Sequence, residues 1–113
     1  MIYTQLNTNL VGKKVKGVFT GLNVEGVIVE VFAERDGKKV SLDDENAHCK
    51  GVRIEMTEPV QWGDCVYTYY ESTQRVMPKD FFNKIAKEHG LKKAKAYKVN
   101  YEDFGNLRYT HII

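Results

Sequence analysis

Val24-Glu25-Gly26-Val27-Ile28-Val29-Glu30-Val31-Phe32-Ala33-Glu34 is the stretch on which the fold turns. Its β-branched and aromatic content and its two-residue alternation describe a strand. Val27, Val29, Val31 and Ala33 share one face, and Glu30 and Glu34 bracket Phe32 on the other. Apolar residues on both faces predict a central place in a sheet. Just downstream, Asp36-Gly37 separates this run from Lys38 to Leu42. Asp-Gly suits the positive φ values of a tight type I′ hairpin, which sets Val29 and Val31 beside Val40 and Leu42.

Working outward, Lys13 to Thr20 reads as a strand with Val15, Gly17 and Phe19 on one face, and Gly21 to Gly26 as a turn. Asp43 to Gly51 is a polar loop. Val52, Ile54 and Met56 then alternate with Arg53, Glu55 and Thr57 in a half-buried strand that Pro59 stops or leaves at an edge. Cys65 to Ser72 is the next strand. Helical periodicity appears once: Pro78 and Asp80 suit a helix start, Gly90 its end, and Phe81, Phe82, Ile85, Ala86 and His89 form one stripe between them. Ala94 to Tyr101 and Leu107 to Ile112 read as a last hairpin around the turn at residues 102–106.

A chain of 113 residues has the size of one domain. The reading is a single domain over 1–113, mainly β (α+β). It takes the form of a small SH3-like or OB-like barrel, or a bent antiparallel sheet, with one helix near residues 78–89 and a final β-hairpin. Neither a secretory leader nor a membrane span is readable, so a cytoplasmic protein without membrane contact is expected. Cys49 and Cys65 are too few for a disulfide framework and read as buried free thiols.

The net charge of +2 hides a strong asymmetry. From Thr20 to Ser72, eleven acids face five bases. From Thr73 to Tyr101, Arg75 and seven lysines face only Asp80 and Glu88. Such halves suit either an anionic partner or the complementary faces of a homo-oligomer.

Catalytic signatures are not found: no nucleophile elbow, no P-loop, no Gly-rich dinucleotide turn. His48, Cys49, Cys65, His89 and His111 lack the paired short spacing of a zinc site. Asp43-Asp44-Glu45 reads either as a solvated loop or as a carboxylate pair for Mg²⁺. No metal or cofactor is expected.

The candidate ligand-binding residues are Trp62, Tyr67, Tyr69, Arg75, Lys84, Lys95, Tyr97 and Arg108. Bases and nucleotides need flat π-faces next to cations, and guanidinium groups grip phosphate bidentately. Trp62 has a second reading as a cap on the open core, and the tyrosines one as cross-strand pairs. The function expected is a non-enzymatic protein that recognises an anionic ligand, a nucleotide or nucleic acid. In size and composition the chain resembles small ligand-sequestering phage accessory proteins. The alternative is a structural or adaptor protein acting through homo-oligomerisation or a protein partner.

Overall fold

The computed structural model of the chain describes residues 6–103 and 110–113. A short 3-10 turn at Thr8–Leu10 leads into β1 (Lys14–Phe19), β2 (Leu22–Arg35), β3 (Lys38–Val40), β4 (Cys49–Trp62) and β5 (Cys65–Arg75). Helices α1 (Lys79–His89) and α2 (Leu91–Asp103) follow, and β6 (His111–Ile112) closes the order. The strands form one antiparallel sheet, β5-β4-β2-β1-β6, with β3 also paired to β2.

β2 is central, as its sequence demands, but its alternation slips. Ile28 faces Ile54 on β4, while the next pair is Glu30 with Arg53, so Val29 is an extra residue and lies 41% exposed. This bulge moves Val31 and Ala33 onto the face of Ile28, apart from Val29. Uniform alternation put Val27, Val29, Val31 and Ala33 together, and the bulge is why that fails. The Asp36-Gly37 turn forms with positive φ at both residues, and it pairs Val40 with Ala33. The β1–β2 turn is Thr20-Gly21, shorter than the expected one.

Pro59 does not end its strand. β4 runs on to Trp62 because Met56 to Pro59 bulge out opposite Thr68 alone, where a missing N–H costs no ladder bond. On the inner face of the sheet Val15, Ile28, Val52 and Ile54 are fully buried, flanked by Leu6, Leu10, Val31 and Tyr70. Each such side chain contributes roughly 1.5–3 kcal/mol. On the opposite face Gly51 fits because Phe32 and the Ser72 carbonyl lie against it, the latter 2.6 Å from where a Cβ would stand.

The sheet curls until its two ends meet through side chains. The Phe19 ring lies 5.3 Å from Tyr67 and 5.7 Å from Tyr70, and the Thr110 hydroxyl donates to Ser72 Oγ at 3.2 Å. The Tyr70 hydroxyl rests against Gly17. Among the described residues no backbone ladder joins β5 to β1 or β6, so the sheet is bent and open, and the barrel is not closed.

The final hairpin is corrected. Residues 91–103 are helical, so the protein has two helices where the sequence reading gave one. Leucine, alanine and lysine favour helix over the apparent alternation of Lys95, Tyr97 and Val99. The contacts follow a helical period: Ala94 is 1% exposed, Tyr97 stacks on Tyr101 one turn away, and Phe81 of α1 approaches Tyr97 at 5.8 Å. His111 and Ile112 pair instead with Lys16 and Val15. Leu107 and Arg108 lie outside the described residues.

Burial pushes the Tyr70 phenol above its ordinary ionisation range; the Thr110 side chain offsets this in part but makes no well-formed hydrogen bond to it. A group held neutral this way supports the fold fully below the ordinary range and loses that support as pH climbs through it. In urea unfolding, Tyr70→Phe should therefore differ from the parent by less than about 1 kcal/mol at neutral pH. It should become the more stable of the two above a pH of about 10. A difference independent of pH would contradict the burial of this hydroxyl.

Candidate functional site

The loop between β3 and β4 positions the site. Asp44 orders it, pairing with Arg35 at 3.7 Å and accepting from the Asn46 N–H at 2.8 Å. The acidic run is thus engaged structurally at Asp44, while Glu45 pairs with Lys79 at 2.9 Å. The same loop receives the start of α1: the Glu45 carbonyl accepts from Lys79 N–H, and Asn46 Oδ1 from Asp80 N–H. These bonds satisfy donors that a helix start leaves open.

Between this loop, the inner face of the sheet and the helices lies a cleft of about 660 Å³. Its floor holds Lys50 and Gln74, which stand directly opposite each other on β4 and β5. Lys79, Phe82 and Lys98 reach it from α1 and α2, with Leu6, Val76 and Met77 as apolar wall. The Lys98 ammonium also lies over the Phe82 ring at 5.7 Å. The bond to Glu45 raises the ionisation of Lys79, which keeps it cationic. Lys50 is half-buried and, among the described residues, makes no ion pair.

Gln74 is the anomaly. It is 6% exposed, and its Oε1 meets neither solvent nor a donor among the described residues. Such an acceptor costs about 1–3 kcal/mol where an apolar group would cost nothing. Native interiors rarely keep one without a use.

The residues singled out from sequence fall into separate regions. Trp62, Tyr67 and Tyr69 lie on the β4–β5 hairpin, with Trp62 57% exposed, so it does not cap the core. Arg75 ends β5, ten residues from Cys65, or about 33 Å along an extended strand. Lys84 is exposed on α1, and Lys95 and Tyr97 on α2. Arg108 lies outside the described residues. The structure brings Tyr67 near Phe19, and Tyr97 near Phe81, but it does not join the hairpin rings to the helical lysines. Tyr69 already carries the Arg53 guanidinium over its face at 3.8 Å.

A second hollow, about 670 Å³, follows the seam between β1 and β5 and includes Tyr67 and Tyr69. Its one charged lining residue is Glu71, which repels an anion. Cys65 is exposed beside it, contrary to the buried thiol expected, and Cys49 is half-buried with its ionisation pushed up by burial. No group of three or more metal-ligating side chains occurs among the described residues, and none of their helices is long and apolar enough to cross a membrane.

The family described as a domain of unknown function (DUF7258) matches residues 1–87, a span that contains Lys50, Gln74, Lys79 and Phe82 and stops before Lys98. Neither a curated protein nor a solved structure matches the chain.

Replacing the lone amide by an apolar chain of similar length removes the unmet acceptor. Gln74→Met is expected to stabilise the protein by about 1 kcal/mol, read as a rise of several degrees in melting temperature. A fall in melting temperature would mean that the amide has a structural partner.

Proposed function

We propose that this chain, which belongs to the family described as a domain of unknown function (DUF7258), is a non-catalytic binding module for a small anionic ligand of the nucleotide type. The observation that carries the reading is Lys50, a half-buried residue at the floor of the cleft with no ion pair among the described residues. A charge in that position is stabilised by an opposite charge. Lys79 and Lys98 add positive potential at the rim, and Phe82 offers a flat ring to a base. Lys84 and Lys95 extend the positive field over the helices and steer an anion toward it. Small-molecule sites have this build, an apolar wall with a few convergent polar groups in a volume of several hundred Å³.

A polymer fits less well than a mononucleotide, because Asp44 and Glu45 share the rim and would repel neighbouring phosphates. A module that holds a nucleotide without turning it over acts as a sequestering protein, in the manner of small phage accessory proteins. Its setting in this reading is the cytoplasm, where thiols such as Cys49 and Cys65 stay free.

Titration with fluorescent mononucleotides and with single-stranded oligonucleotides at low and high salt tests the reading. Mononucleotides should saturate, and Lys50→Gln should weaken them about tenfold with the fold intact by circular dichroism. Absence of binding at low salt overturns the reading. Affinity growing with oligonucleotide length moves the ligand to nucleic acid.

A second reading rests on a different observation. β5 is an edge strand with neither lysine nor proline along its eleven residues, and Trp62, Val66, Tyr67 and Tyr69 around it are exposed. Edges built so invite a second copy of the chain. Sedimentation should then show a concentration-dependent dimer that Val66→Lys abolishes; a monomer at every concentration removes this reading.

A further inference from the structure

Lys50 and Gln74 form a matched pair. They are cross-strand partners on the helix-covered face of the sheet, where directly opposed residues hold their Cβ atoms about 5 Å apart. Lys50 only donates, and it brings a positive charge. Gln74 brings an acceptor that no donor among the described residues meets, and its terminal torsion is soft enough to turn that oxygen toward the cleft. A ligand complementary to both has an anionic group with a hydrogen-bond donor immediately beside it.

Among nucleotide-type anions this arrangement is a phosphate next to a free hydroxyl on the ribose. We infer that the cleft selects a ribonucleotide whose phosphate and hydroxyl are vicinal, as in a 3′-monophosphate with its 2′-hydroxyl, over the 2′-deoxy counterpart. The phosphate oxygens accept from Lys50 Nζ, and the hydroxyl donates to Gln74 Oε1. The 2′-hydroxyl is the group by which proteins separate ribose from deoxyribose. Leaving a buried acceptor unmet penalises the ligand that lacks it. This inference rests on the nucleotide reading of the cleft and adds to it the neighbour that the phosphate must carry.

Calorimetric titration of the full chain with adenosine 3′-monophosphate, its 2′-deoxy analogue, adenosine 5′-monophosphate and inorganic phosphate tests it. The 3′-ribonucleotide should bind about tenfold or more tightly than the deoxy analogue and the 5′-isomer. Gln74→Met should lower it to the level at which the deoxy analogue binds, so that the preference for the ribo form is lost. Equal affinity of the ribo and deoxy forms, or inorganic phosphate binding as tightly as the 3′-nucleotide, overturns the inference and leaves the anion-binding reading standing. If no phosphate compound binds, both fall together. The comparison among ligands of the parent chain decides the matter even where Gln74→Met alters folding.

Discussion

Pairing between β2 and β4, and the one-residue slip at Val29 within it, is the constraint on which the other features depend. Upstream of the slip the inner face carries Gly26 and Ile28; downstream it carries Val31 and Ala33. Without the slip, the apolar residues of one half of the strand would point outward, and no continuous core could form against Val52 and Ile54. A bulge also bends and twists the strand that holds it. The bend brings Phe19 to Tyr67 and Tyr70 and lets side chains do the joining that backbone bonds perform in a closed barrel.

The same curvature leaves a polar row inside. Tyr70, Ser72 and Gln74 alternate along the inner face of β5; Ser72 has Thr110 as a partner, while the Tyr70 hydroxyl and Gln74 Oε1 have none among the described residues. The apolar core ends where this row begins, and the cleft opens at its far end, where Lys50 faces Gln74. On the other face polar groups are paired tightly: Lys39 bonds to Glu30 and lies over Phe32, and Arg53 covers Tyr69. One face of the sheet is therefore electrically closed while the other keeps unmet groups beside a space large enough for a ligand.

Much of the architecture was legible in the residues. The β2 strand, the Asp36-Gly37 turn and the helix ending at Gly90 follow from local alternation, turn chemistry and a single apolar stripe. The second helix was not, because Lys95, Tyr97, Val99 and Tyr101 alternate like a strand while their neighbours carry helix propensity, and docking of Ala94 decides between them. The cleft was half legible. The excess of lysine after Thr73 holds Lys79 and Lys98, but the lysines singled out in it were Lys84 and Lys95, and Lys50 and Gln74 are unremarkable singly in sequence and become a pair only through the β4–β5 register. Trp62, Tyr67 and Tyr69 sit at the opposite end of a long hairpin, a distance that no local pattern encodes.

Anchorage differs sharply between the two sides of the cleft. Its floor belongs to the most tightly paired strands, whereas α1 buries no residue fully and α2, among its described side chains, only Ala94. Segments held by so little burial come loose at a lower free energy than the sheet that carries them. Whatever settles between them must therefore clamp the helical side down. The affinity of the ligand proposed above would be the strength of its contacts reduced by the fraction of molecules with that side in place. Tightening the α1–α2 packing would raise affinity without touching any group that meets the ligand.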